Sequence, residues 1–79
     1  MNIQVLFFGA TADIAGTRRT GADVSPETLA KTVFDQILAE HPSLAAHKLH
    51  FSVNQEFATG DEILNDGDEL AIFTAVSGG

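Results

Sequence analysis

The chain has 79 residues and no cysteine, with 44% hydrophobic against 19% charged residues. Such a composition suits one small folded domain and excludes thiolate metal sites, iron–sulfur clusters and thiol catalysis. Eleven acidic against four basic residues give a formal charge of −7, which phosphate backbones repel, so nucleic-acid binding is disfavoured and no nucleic-acid partner is expected.

The opening "MNIQVLFFGA" is apolar, but it has no basic leader and is too short to span a bilayer. A soluble, cytoplasmic protein without membrane association is expected, and the lack of cysteine agrees with a reducing compartment. The stretch alternates, with Ile3, Val5 and Phe7 on one face and Gln4, Leu6 and Phe8 on the other, as in a first strand. Asp13 to Asp23 is polar and broken by glycine, which predicts a turn and a short, weak second strand around residues 18–23. "SPETLAKTVFDQILAEHP" then reads as the single helix. Ser25 caps it with Pro26 at the first helical position, or Thr28 caps it instead. Leu29, Val33 and Ile37, joined by Ala30, Phe34 and Leu38, form two ridges at helical spacing, and Pro42 ends the run.

Beyond a loop, "LHFSVN" alternates again and points Leu49, Phe51 and Val53 inward. Asn54-Gln55 forms a tight turn into a short strand at Glu56–Phe57, and Asp66-Gly67 supplies the positive-φ position of a second turn. "ELAIFTAV" is the last strand, with Leu70 and Ile72 inward and Ala71, Phe73 and Ala75 outward. Two strands, a helix and further strands predict an α+β fold with the helix on one face of the sheet. The first and last strands, both apolar, are expected to be central, parallel neighbours. Leu6, Phe8 and Phe73 would then form one exposed apolar patch of the kind that marks a partner surface, unless a loop covers them.

Other chemistries fit poorly. "VLFFGATADIAG" resembles a strand entering a nucleotide-binding turn, but it lacks the G-x-G-x-x-G spacing, a clear following helix and any phosphate-loop lysine. His41, His47 and His50 have no close carboxylate cluster and read as surface residues, so no metal is expected. Six acids lie between residues 56 and 69 (Glu56, Asp61, Glu62, Asp66, Asp68 and Glu69). They are either a solvated face or a surface steered to basic protein partners.

The ending "FTAVSGG" is unusual, because two glycines directly follow an apolar strand. Glycine is costly to order and packs nothing. Either the end frays, or the terminal carboxylate is itself the functional group. The run "VNQEF…LNDGDELAIFTAVSGG", with "IQVLFFG" and Gly16, resembles the small-subunit family of molybdopterin synthase. These are ubiquitin-like β-grasp sulfur carriers, related to the thiamine-pathway sulfur carrier. The matching positions include Val53, Asn54, Glu56, Leu64, Asp66, Gly67, Asp68, Glu69, Ala71, Val76, Gly78 and Gly79. One departure is Thr74-Ala75, where family members often carry a Pro-Pro pair that would stiffen the approach to the tail.

The resemblance implies a β-grasp domain over residues 1–75 and a flexible tail over 76–79, with a mixed sheet and one main helix. It implies that an adenylating partner uses ATP to activate the Gly79 carboxylate, and that a sulfur donor converts it to a thiocarboxylate. The large synthase subunit would take in the tail, with Gly78 as its slim neighbour. There the sulfur passes to cyclic pyranopterin monophosphate, two charged carriers being consumed per dithiolene. The active site would lie in the large subunit of a heterotetramer, so the carrier is not catalytic alone and binds no cofactor itself. Leu6, Phe8 and Phe73 would dock partners, with Val76 anchoring the base of the tail. Fully extended, Val76 to Gly79 would reach roughly 13–14 Å. The alternatives are a carrier for thiamine synthesis or tRNA thiolation, a ubiquitin-like protein modifier, and a non-reactive ubiquitin-like binding module.

Overall fold

Strand β1 (Asn2–Phe7) buries every second residue, Ile3, Val5 and Phe7, as its alternation predicts. The structure, a computed structural model, describes residues 1–74. After β1 come α1 (Ala10–Ala15), β2 (Arg19–Asp23), α2 (Ala30–Glu40), a 3-10 helix (Pro42–Ala46), β3 (Leu49–Val53), β4 (Glu56–Phe57) and β5 (Glu69–Thr74). The strands form one mixed five-stranded sheet in the order β2-β1-β5-β3-β4. β1 and β5 run parallel at its centre, Val5 opposite Leu70 and Phe7 opposite Ile72, and the other pairs are antiparallel.

The core lies between the inner sheet face and α2. Ile3, Val5, Phe7, Leu70 and Ile72 from the sheet meet Ala30, Val33 and Ile37 from α2, with Leu44 and Leu64 closing the ends. Phe34 of α2 stacks on Phe51 of β3 with ring centroids 4.5 Å apart, which confirms the inward face of β3. This stack adds roughly 0.5–1.5 kcal/mol beyond area burial.

Two helix expectations need correction. Helix α2 starts at Ala30, with Leu29 as N-cap, and not at Ser25-Pro26. Glu27 has a φ of 66°, which breaks any helix through it, and Leu29 instead bridges Ile63. The orphan first-turn N–H groups are satisfied from across the fold. Ala30 N donates to Glu62 O at 2.8 Å and Lys31 N to Gly60 O at 3.0 Å. The residue 60–64 segment thus does the work assigned to a serine cap. Glu62 folds this segment back by accepting the N–H groups of Thr59 and Gly60, bonds that hold its carboxyl below the usual glutamate range.

Nor is α2 the only helix. "ATADIA", read as part of a turn, forms α1, closed by Gly16 in the left-handed conformation with its N–H on Ala12 O at 2.9 Å. Its anchor is Thr11, which is fully buried. The Thr11 hydroxyl lies 2.6 Å from Phe8 O and 2.9 Å from Ile72 O, able to donate to either carbonyl. Ala12, Ile14 and Ala15 pack against the core beside it. Six residues cannot hold a helix by propensity, so tertiary packing makes this one.

The two predicted turns are present. Asn54 and Gln55 both have positive φ (50° and 71°), the pattern of a type I′ hairpin between β3 and β4. Gly67 sits at φ 87° in the loop before β5, and this loop clamps the open end of the parallel pair. Asn2 N donates to Asp66 Oδ1 at 2.7 Å, and Gly67 N donates to Asn2 O at 2.7 Å. The Asp68 carboxylate accepts Asn65 N at 2.8 Å and Asn54 Nδ2 at 3.0 Å, while Asn54 Oδ1 accepts Glu69 N at 3.0 Å. Three of the six acids in this stretch (Glu62, Asp66 and Asp68) are therefore built into backbone turns, a local role the charge count does not reveal. The expected domain boundary between residues 75 and 76, Ala75 and the tail lie outside the described residues.

Asp68 joins the loop, the β3–β4 hairpin and the start of β5. Asp68→Ala should lower unfolding free energy by about 1–3 kcal/mol, measured by urea titration, because two N–H donors lose a charged acceptor. Unchanged stability would show that water replaces these bonds at no cost.

Candidate functional site: the outer sheet face

The sheet face away from α2 holds the residues expected to dock partners. Side chains directly opposite on neighbouring strands share a face. The register therefore draws one row across all five strands: Arg19, Leu6, Ala71, Ser52 and Phe57. Its centre is small and closely packed, Ala71 and Ser52 both being buried, with larger Leu6 and Phe57 to either side. The result is a shallow apolar saddle.

Leu6 is half-buried in this row, opposite Ala71. Phe8 follows the last residue of β1 and is 53% exposed, its N–H donating to Ile72 O at 3.0 Å. Phe73 lies one residue past Ile72 on β5 and is half-buried. Register thus brings Phe8 and Phe73 to neighbouring positions at the end of the sheet where β5 leaves it. Phe73 has two ring neighbours on this face. His50 lies 6.0 Å away and Phe57 5.7 Å away between ring centroids, and His50 to Phe57 is 6.4 Å. Leu6 and Phe8 instead line a groove of about 480 Å³ with Gly9, Ala12, Arg18 and Arg19. The three expected docking residues therefore share one face but belong to two adjoining features. Val76, Gly78 and Gly79 lie outside the described residues.

Phe57 and His50 are exposed outer-face residues beside Phe73 that the sequence reading did not single out. Phe57 is 80% exposed, the most open of the large hydrophobic side chains described. The signal was present in its place directly after a hairpin turn, where a two-residue strand cannot bury an aromatic ring. His50 alternates with inward Leu49 and Phe51, which puts it outside. Not all three histidines are surface residues: His41 is half-buried and packs edge-on against Phe7 at 5.8 Å. Among the described residues, no three His, Cys, Asp or Glu side chains come together as metal ligands. No described helix is long and apolar enough to cross a membrane.

The outer face thus carries an apolar saddle, an aromatic cluster and a basic edge, and β5 ends beside them at Thr74. Comparison with known proteins adds the family. The human molybdopterin synthase sulfur carrier subunit is 35% identical over 82 residues, covering 98% of this chain and 93% of the human protein. The crystal structure of small archaeal modifier protein 1 from Haloferax volcanii covers 100% of both chains at 28% identity, with a TM-score of 0.86. A complex of subunits 1 and 2 of molybdopterin-converting factor from Helicobacter pylori 26695 contains the same ubiquitin-like β-grasp fold, at 21% identity, a TM-score of 0.71 and 100% coverage of both chains. The ThiS family model matches residues 5–79, through to the last glycine, and the chain belongs to that family.

Proposed function

We propose that the chain is a sulfur carrier, the small subunit of molybdopterin synthase, and that Gly79 bears the sulfur as a terminal thiocarboxylate. The observation that carries this reading is the full-length similarity to proteins named as such subunits, together with a family match that ends on Gly79. The chemistry follows from the terminus. A carboxylate with a pKa of about 3.3–3.7 is an anion at neutral pH and a poor electrophile. In an adenylating partner a carboxylate oxygen attacks the α-phosphorus of ATP, pyrophosphate leaves, and the acyl carbon gains AMP as a good leaving group. A sulfide-level sulfur donor then attacks the acyl carbon, and AMP departs. The thiocarboxylate sulfur is nucleophilic and attacks cyclic pyranopterin monophosphate in the active site of the large subunit. Water then attacks the acyl carbon, leaving the sulfur on the pterin and restoring the Gly79 carboxylate. The carrier contributes delivery, not catalysis.

The structure supports the delivery half of this reading. β5, whose last residue is Thr74, is a central strand held by β1 and β3 on its two sides, which suits a strand that must present a tail. The saddle beside it gives a partner something to grip. Leu6, Phe8 and Phe73 dock that partner, Phe57 and His50 extend the contact, and Val76 anchors the tail's base. That the Helicobacter relative was solved with its subunit 2 supports a large-subunit partner here. Gly78 and Gly79 carry no Cβ, which lets partner groups approach the backbone closely. A second reading, a protein modifier, is favoured by the likeness to the Haloferax modifier. It uses the same activated terminus, with a lysine amine in place of the pterin.

Phe73→Ala should weaken binding to the large subunit by at least about 1 kcal/mol, because interface aromatics commonly act as hot spots. Calorimetric titration reads the affinity and thermal melting reads the fold. Unchanged affinity with a sharp fall in melting temperature would place Phe73 in the core.

Adding one glycine after Gly79 should abolish product formation by the large subunit while leaving fold and most affinity intact. Reacting atoms must approach to about 3–3.5 Å, and one extended residue displaces the terminal carbon by roughly 3.3–3.6 Å. Deleting Gly79 should fail by falling short. Full turnover by the extended carrier would remove the terminus from the chemistry and leave a non-reactive binding module.

A further inference from the structure

The groove beside the saddle gathers both of the chain's arginines. The chain holds four basic residues against eleven acidic ones, and Arg18 and Arg19 are its two arginines. Both line the groove with Leu6, Phe8 and one acid, Asp13, and both are exposed, leaving the groove an excess of positive charge. Among the described residues, the ion pairs are Met1 with Asp23 and Lys31 with Asp61, so neither arginine is paired there. Arg19 stands opposite Leu6 in the cross-sheet row, which places it on the docking face. Arg18 is tied to the end of β1, its carbonyl accepting Phe7 N at 2.9 Å.

That position matters because of where the chain leaves the sheet. Phe8 N bonds Ile72 O, so Arg18, Phe8 and the last residues of β5 occupy one end of the sheet. Arg19 is two strands from β5, about 10 Å at ordinary strand spacing. A partner that covers Phe8 at this end lies within reach of the arginines, which share its groove. On an unpaired guanidinium pair, such a partner must place carboxylates or leave two charges desolvated. The two arginines lie toward one edge of the outer face, so a carboxylate partner for them fixes which way round the saddle is covered.

Resting on the reading above, we propose that the Arg18–Arg19 groove is a docking subsite for an acidic, partly apolar segment of the large subunit, and that it sets the carrier's orientation. The fork geometry of guanidinium matches carboxylates, and Leu6 and Phe8 seat the apolar part of the segment. Charge in such a place governs encounter rate and register more than total affinity.

The test is titration of the large subunit with wild-type carrier, the Arg18→Glu/Arg19→Glu variant and an Arg18→Lys/Arg19→Lys variant, across a range of salt. A carrier ending at Thr74 is included, and circular dichroism verifies each fold. Charge reversal should weaken binding by about tenfold or more at low salt and flatten the salt dependence, because exposed charge pairs are screened. The lysine variant should keep most of the salt dependence, and the carrier ending at Thr74 should keep it too. Equal affinity and equal salt dependence after charge reversal would overturn the proposal. So would a loss that is the same at all salt concentrations, which means packing. If the salt-dependent part disappears with the tail, the arginines serve the chain's own terminus and the proposal falls. Wild-type carrier that does not bind the large subunit at all would defeat the functional reading itself, and this subsite with it.

Discussion

The parallel pairing of β1 with β5 is the constraint on which the rest of the structure depends. It joins residues 2–7 to residues 69–74 and puts both at the sheet's centre, with Ile3, Val5, Phe7, Leu70 and Ile72 turned into one core. Parallel neighbours need a long crossover between them. Here nearly the whole chain serves as that crossover, carrying α1, β2, α2, β3 and β4. β5 is therefore supported on both sides up to its last residue, Thr74. In the proposed function, this strand is the base from which the sulfur-bearing terminus is presented.

The same pairing decides what the outer face looks like. Alternation that turns Val5 and Phe7 inward turns Leu6 outward, and alternation on β5 turns Ala71 and Phe73 outward beside it. Small residues in the middle and larger ones around them make the saddle. The acidic loop before β5 holds the other end of the pair closed. Asp66 and Asp68 receive backbone N–H groups from β1 and from the loop itself, and Asn54 links that loop to the β3–β4 hairpin. Half of the acids between residues 56 and 69 thus build the scaffold, leaving exposed acids such as Glu56 and Asp61 to shape long-range attraction.

Most of this was legible in the sequence where local pattern and tertiary need agree. The alternation of Ile3, Val5 and Phe7, the Asp66-Gly67 turn, the Asn54-Gln55 hairpin and the parallel centre all followed from period and turn chemistry. Ser25-Pro26 failed as a helix start because the caps of α2 come from Gly60 and Glu62, thirty residues away in the chain, and no local rule sees them. α1 stayed hidden because six residues between glycines look like a turn until Thr11 finds two carbonyls to bond. On the outer face, Leu6, Phe8 and Phe73 could be named from strand phase. Exposure of Phe57 and His50 was legible too, but not their meeting with Phe73, which depends on which strand lies beside β5. The terminal glycines lie outside the described residues, and the chemistry proposed for them comes from the resemblance and the family match.

The account stands on the Gly79 carboxylate being the atom group that is activated and charged. The most direct measurement is intact-mass and C-terminal-peptide mass spectrometry of the wild-type carrier after incubation with its adenylating enzyme, ATP and a sulfide source. The account predicts a gain equal to one sulfur in place of one oxygen, confined to the peptide that ends in Gly79 and dependent on ATP. An unchanged mass, or sulfur found on any other peptide, would contradict it.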